Sequence, residues 1–325
     1  MAHSLPLRKF FVHGTRRMYQ CITLLVFLLS IVSGCANDPA PVAPVADSSC
    51  HHLVLFGDPH LPGRNMPLKE AVRETVNAWP GVELVIALGD ICEQNGTAAE
   101  YAQAREYLQG LHHPLRVITG NHDFIYDDIS DEQGKGVRAP PQVNREKLRQ
   151  FRETFELSAL SESRVLGKYL LVFISAESTE FLVGLTPSQL AWLEGELTRH
   201  ADLPTLIFFH APLPGTLRQY KPWVNQPHST AQPADKIHAL LERHPQVFLW
   251  ASGHTHTTPQ EESYASAINL YGGRVHTIHN AAMNRETIWT NSLLLCPDRV
   301  LVRTYDHRQG RWLPELERSI VPPSR

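Results

Sequence analysis

The chain has 325 residues, 42% of them hydrophobic and 19% charged, and a formal net charge of -3. That composition suits a globular enzyme with one large domain once a leader is set aside. The charge balance lacks the basic excess that nucleic-acid binding requires, so no nucleic-acid partner is expected, and no internal repeat of solenoid or propeller period is present.

The first segment is a targeting signal. Arg8, Lys9, Arg16 and Arg17 precede an apolar run over residues 22–32, followed by Ser33, Gly34 and Cys35. A charged start, a short apolar stretch and small residues before a cleavage point are the parts of a secretory signal. The run is shorter than the roughly 20 residues of a membrane-spanning helix. Val32-Ser33-Gly34-Cys35 resembles a bacterial lipobox. The resemblance implies removal of residues 1–34 and acylation of Cys35, which holds the mature protein on a membrane surface in the cell envelope. Ala36 after the cysteine favours the outer membrane in a Gram-negative cell. Residues 35–50, with Pro39, Pro41 and Pro44 among Ala and Val, read as an extended tether, and 51–325 as the catalytic domain. Cys50, Cys92 and Cys296 remain in that mature chain. An oxidising compartment permits one disulfide among them, with connectivity open and one thiol left over. Cys92 reads as a small buried residue.

Strands and helices alternate through the domain. A strand over 53–56 precedes a helix over 68–78, whose apolar face carries Leu68, Ala71, Val72, Thr75 and Val76. A strand over 84–88 precedes a helix over 97–108, with Thr97 as N-cap and Glu100 completing a capping box. A third strand covers 116–118. Residues 124–141 are acidic, then rich in Gly and Pro, and read either as a solvated loop or as a substrate-covering flap. A helix over 144–155, strands over 169–175 and 181–183, and a helix over 186–200 opened by Thr186 and Pro187 come next. A strand over 206–209, a helix over 234–244 and a strand over 247–251 follow, with the last strands inside 274–279, 287–296 and 299–305.

Five short motifs stand at the ends of these strands: Gly57-Asp58-Pro59-His60, Gly89-Asp90, Gly120-Asn121-His122-Asp123, His210 and Gly253-His254-Thr255-His256. Ligand sites of open α/β sheets gather at the carboxyl ends of strands, so the motifs should converge. Their oxygen and imidazole donors suit a pair of borderline divalent cations. Of the eighteen histidines only five fall in the motifs. His51, His52, His112, His113, His228, His276 and His279 read as ordinary surface or core residues.

The order and spacing over residues 52–257 resemble the calcineurin-like metallophosphoesterase superfamily, and within it the group that includes class III cyclic-nucleotide phosphodiesterases. The Arg that follows GD in the protein-phosphatase signature is replaced by Gln94, Asn95 and Gly96, and the GNH motif ends in Asp123 rather than Glu, so a protein phosphatase is a poor match. The resemblance implies an α/β fold, a four-layer α/β/β/α sandwich of two mixed sheets. It implies two divalent ions (Mn, Fe or Zn), one on Asp58, His60, Asp90 and His256, the other on Asp90, Asn121, His210 and His254. Asp90 bridges, because a carboxylate offers two charged oxygens. The ions would acidify a bridging water to hydroxide, which attacks phosphorus. His122 is the leaving-group acid, and the carboxylate after the GD motif, here Glu93 where the group has Asp, is its orienting partner. Asp123 is an alternative partner or an organiser of ligands and loop. The expected substrate is a small organic phosphomono- or diester at the envelope. A non-catalytic metal-binding scaffold on the same fold is the alternative.

Overall fold

The computed structural model describes residues 49–133 and 136–324. The signal, Cys35 and most of the tether lie outside the described residues. In chain order the elements are β1 (His51–Phe56), α1 (Met66–Asn77), β2 (Val82–Ala87), α2 (Ala98–Gln109), β3 (Leu115–Val117), β4 (Tyr126–Ser130), β5 (Gly136–Arg138), α3 (Pro141–Thr154), β6 (Glu162–Leu166) and β7 (Tyr169–Ile174). They continue as α4 (Pro187–Arg199), β8 (Thr205–Phe209), α5 (Ala234–Arg243), β9 (Val247–Ser252), β10 (Leu270–Tyr271), β11 (Val275–His279), β12 (Trp289–Leu295), β13 (Val300–Asp306), β14 (Arg311–Trp312) and β15 (Arg318–Ile320).

Two mixed sheets form. The first runs β14-β13-β12-β1-β2-β3, with β15 also on β13; the second runs β10-β11-β9-β8-β7-β6. β1, β2 and β3 are mutually parallel, as are β7, β8, β9 and β11, while the outer strands pair antiparallel. The alternation of side chains along each strand builds three apolar layers. Leu53 and Leu55 of β1 meet Leu171, Phe173, Leu206 and Phe208 between the sheets. Val54 and Phe56, on the other face, pack with Val72, Val76 and Tyr107 of α1 and α2. Leu170, Val172 and Ile207 pack with Leu193 and Leu197 of α4 and Leu240 of α5. This is the α/β/β/α sandwich the resemblance implied. Strands covered on both faces explain the uninterrupted apolar runs in the sequence.

The helix starts follow their capping signals. Thr97 Oγ1 accepts from Glu100 N at 3.2 Å, and the Glu100 carboxylate takes Thr97 N at 3.0 Å. Thr186 and Gln189 make the same reciprocal pair on α4.

Three elements differ from the sequence expectation. Residues 124–141 are not a plain loop: β4 and β5 form a hairpin, tied to α3 by Lys147 Nζ, 2.6 Å from Asp128 Oδ1. The expected strand at 181–183 is absent, because only Gly184 makes a bridge, to Gln232. α3 begins at Pro141, three residues early, since a proline at the first helical position loses no hydrogen bond. The edge strands β10, β14 and β15 are too short, and β6 too polar, to register as apolar runs.

Cys50 is disulfide-bonded to Cys296, and Cys92 is free and buried. The pairing follows from register: His51 lies opposite Leu295 in the antiparallel β1–β12 pair, so the cysteines one step beyond each are adjacent. The last residue of the expected tether is thus fastened to the first sheet.

Candidate metal centre

The five motifs leave the carboxyl ends of β1, β2, β3, β8 and β9 and meet at one edge of the sandwich. Asp58, His60, Asp90, Asn121, His210, His254 and His256 come together there. Donor atoms of Asp58, His60, Asp90 and His256 lie within 4.8 Å of one another, and so do those of Asp90, His210 and His254. Asp90 belongs to both groups. Asn121 Oδ1 lies 3.3 Å from His210 Nε2, which places it with the second.

The backbone is bent sharply to achieve this. Asp58, His60, Asp90, His254 and His256 all have positive φ, between 37° and 63°. Each such non-glycine residue costs about 1 kcal/mol or more, strain of a kind that concentrates at functional sites. Two motif glycines are required by close approach. A Cβ on Gly120 would stand 2.3 Å from Asp90 Oδ1, and one on Gly253 2.4 Å from Asp58 Oδ2.

The donor set fits a pair of cations. His210 Nδ1 donates to the Leu88 carbonyl at 2.8 Å, and His254 Nε2 donates to the His228 carbonyl at 3.0 Å. A carbonyl can only accept, so these contacts fix both tautomers and leave lone pairs on His210 Nε2 and His254 Nδ1. Those two atoms face each other at 3.2 Å, and His60 Nε2 faces His256 Nε2 at the same distance. Asp58 Oδ2 is buried with no hydrogen-bond partner. Facing imidazole nitrogens and a bare buried carboxylate oxygen are what a cation relieves.

The protein's own electrostatics point the same way. Burial pushes Asp58 up to about 8, with His210 pulling against it and Asp90 adding to the rise. Burial holds His60 down to about 4 and His254 to about 3, the unprotonated form in which imidazole binds metal. For His210 burial is outweighed by the Asp90 and Asp58 carboxylates, which raise it to about 9. A proton there is the competitor that a cation must displace.

His122 stands outside both donor groups. Its backbone N–H donates to Asp90 Oδ1 at 2.9 Å, and its ring meets His60 and Tyr126 edge-on at 5.1 and 5.4 Å. Its Nδ1 donates to the Gln94 carbonyl at 2.7 Å, which leaves Nε2 as the nitrogen able to exchange a proton. Among the described residues no hydrogen bond joins His122 to its expected partner, Glu93. Its N–H donates to Leu61 O at 3.1 Å, and its carboxylate acts on the buried Lys69. The loop that holds His122 is instead fixed by Glu100, which accepts from Gln94 N at 2.7 Å while capping α2. Asp123 is a loop organiser: its carboxylate accepts from Cys92 N at 2.8 Å and Gly120 N at 2.7 Å. Burial, with Asp90 nearby, raises it to about 7.

Four contributors escaped the sequence reading. Lys69 is fully buried and donates to the His60 carbonyl at 2.6 Å, locking the first motif. Its spacing from Val72 and Val76 put it on the buried stripe of α1, which was the available signal. Arg285 Nη2 donates to the His256 carbonyl at 3.2 Å. Tyr126 places its hydroxyl 3.4 Å from Asn121 Nδ2. His228 acts through its backbone carbonyl, a role no side-chain pattern encodes. Among the other surplus histidines, His52 and His279 are core residues and His51 pairs with Glu83.

Residues 51–258 match the model of the Calcineurin-like phosphoesterase family. A 3′,5′-cyclic-nucleotide phosphodiesterase of Nostoc sp. is 24% identical over 241 residues, 74% of this chain and 77% of the relative. A glycerophosphodiester phosphodiesterase of Enterobacter lignolyticus is 27% identical over 200 residues, 60% of this chain and 64% of the relative, so the match spans slightly less than two thirds of that enzyme. In three dimensions the chain resembles a dimetal phosphatase from Danio rerio, with a TM-score of 0.58, 16% identity, and coverage of 84% of this chain and 99% of that one. It also resembles a purple acid phosphatase from yellow lupin, at 0.56 and 14% over 84% of this chain and 54% of that one. At these identities the structural likenesses speak for the fold alone.

Proposed function

This chain belongs to the calcineurin-like phosphoesterase family and is a metal-dependent phosphoesterase; from that premise we propose that it hydrolyses small organic phosphodiesters, with His122 as leaving-group acid. The observation that carries the reading is a division of labour: Asp90 is shared by two donor groups, while His122 stands beside them with one nitrogen pinned and the other available. Both relatives described above are named as phosphodiesterases, which favours diesters over monoesters.

The family normally binds two divalent metals, and the candidate ligands are Asp58, His60, Asp90 and His256 for one, with Asp90, Asn121, His210 and His254 for the other. When bound, such a pair supplies Lewis acidity toward phosphoryl oxygen and a water acidified toward neutral pH. The mixed set of carboxylate, amide and imidazole donors suits Mn, Fe or Zn. The chain's own residues do the rest. Asn121 contributes a neutral oxygen, which keeps the ligand charge low enough to admit an anionic ester. Leu88 and His228 carbonyls hold the His210 and His254 rings in one tautomer and orientation. His122 Nε2 delivers a proton to the departing alkoxide, which becomes an alcohol, and is reprotonated from solvent.

Purified protein should hydrolyse bis(p-nitrophenyl) phosphate, lose that activity on chelation and regain it with Mn, Fe or Zn. Full metal content with no turnover of any diester or monoester would make the protein a metal-binding scaffold instead. The reading extends to the envelope: the lipobox at Cys35 would attach the enzyme to a membrane by lipid, where it meets a small phosphoester and no nucleic acid. Cys35→Ala should abolish labelling by a palmitate analogue and release the protein from the membrane fraction. Labelling that persists in this variant would refute the lipobox.

A further inference from the structure

The segment over residues 217–224 is fastened to the turn that carries His254 and His256. The Tyr220 hydroxyl lies 2.9 Å from the Thr255 carbonyl and 2.9 Å from Thr257 Oγ1. The next residue, Lys221, holds its ammonium 5.4 Å over the Tyr220 ring and 5.1 Å over the Trp223 ring. Arg285 is joined to the same turn at the His256 carbonyl, and among the described residues its buried Nε has no hydrogen-bond partner. Among the described residues neither cation makes an ion pair, whereas Arg149, Arg243 and Arg303 all do. Burial and the Arg285 charge lower the Lys221 ammonium, with Glu261 pulling the other way, so the two cations feel each other.

We propose that Lys221 and Arg285 form an anion subsite on the His256 side of the metal centre. It receives the part of the substrate beyond the reacting phosphorus, and so selects phosphodiesters whose retained alcohol carries a second anionic group, a carboxylate or a further phosphate. This rests on the phosphodiesterase reading. Glu261 opposes the repulsion between these like charges without forming an ion pair with either, and a bound anion offsets the remaining cost. The Tyr220 and Trp223 rings hold the ammonium in place by cation–π contact, which reduces the ordering cost of binding. The hairpin that carries Tyr126, beside His122, is acidic in balance: Asp127, Asp131 and Glu132 stand against Lys135 and Arg138, with Asp128 paired to Lys147. A substrate with an anionic tail is therefore drawn toward Lys221 and Arg285 and leaves its departing alcohol at His122.

The test uses two p-nitrophenyl phosphodiesters with the same leaving group, one retaining glycolate and one retaining choline. Metal-loaded full-length protein should prefer the glycolate ester. The ratio of their kcat/KM values should fall about three- to tenfold in Lys221→Met, fall further in Lys221→Glu, and be largely kept in Lys221→Arg. Calorimetry with the products, phosphoglycolate and phosphocholine, should show the same ordering of affinities without turnover. Hydrolysis of both esters with a ratio independent of residue 221 overturns the subsite and leaves the phosphodiesterase reading standing. A Lys221-dependent binding preference without hydrolysis of either ester overturns the phosphodiesterase reading and leaves the subsite.

Discussion

His210 and His254 meet nitrogen to nitrogen: Nε2 of the first lies 3.2 Å from Nδ1 of the second, while the Leu88 and His228 carbonyls hold the opposite nitrogen of each ring. Two acceptors cannot hydrogen-bond to each other, so the pair is stable with a proton or with a cation between them. Asp90 Oδ1, 3.2 Å from His210 Nε2, stabilises either one. A cation at this candidate site would therefore compete with protons, and the two rings are oriented by backbone carbonyls.

Asp90 is the side chain common to both donor groups. Asp90→Asn keeps the shape and removes the charge, so metal content should fall below two equivalents per chain and kcat should fall about a hundredfold or more. Metal analysis on the same preparation used for kinetics checks this. Two full equivalents in a fully active variant would refute the shared role.

His122→Ala should keep the metals and lose about 10²–10⁴ in kcat for alkyl esters, whose leaving groups need a proton. With p-nitrophenolate, a good leaving group, the loss should shrink. A loss of equal size across leaving groups would make His122 a phosphate-positioning residue. Because the Gln94 carbonyl rather than Glu93 holds His122, Glu93→Gln should leave this leaving-group dependence as it is in the wild type.

The Cys50–Cys296 bridge spans 246 residues of sequence. A crosslink over so long a loop restricts the unfolded chain, and removing it typically costs about 2–5 kcal/mol. Cys50→Ala/Cys296→Ala should unfold at lower denaturant concentration while its kcat/KM stays near that of the parent, since the bridge touches no motif. An unchanged midpoint would show that the bridge does not contribute to equilibrium stability.

His52 is 1% exposed, and its Nε2 shares a hydrogen bond with Ser292 Oγ at 2.9 Å. Burial, with His113 and Arg303 adding to it, lowers its pKa from 6.5 to about 4. The unfolded chain then binds a proton that the folded chain refuses. Stability is complete above pH 6.5 and is lost as pH falls toward 4, by up to about 3 kcal/mol from this group. His52→Gln should flatten that limb of the stability profile, read from denaturant midpoints between pH 7 and 4.

What the sequence carried was whatever has a local or periodic signature. Apolar runs gave the central strands because both faces are covered, and Thr97 with Glu100 marked α2 because the capping box is a contact across three residues. The donors at Asp58, His60, Asp90, Asn121, His210, His254 and His256 were legible because each closes a strand and parallel strands deliver their ends to one edge. The edge strands β6 and β15 were not, since exposed pairing partners need no apolar alternation.

Only the tertiary structure could decide what depends on register and on backbone atoms. The disulfide partner of Cys50 follows from the pairing of β1 with β12, two segments remote in the chain. The hydrogen bond that orients His122 comes from a backbone carbonyl, and every residue has one, so no residue type announces it. Lys69 and Arg285 likewise act on carbonyls, of His60 and His256, and Lys69 does so with the Glu93 charge that the motif assigned to His122. Side-chain identity names the candidate ligands because metal binding is selective for chemistry. Their supports were invisible because backbone carbonyls are chemically identical, and only the fold determines which of them a given side chain can reach.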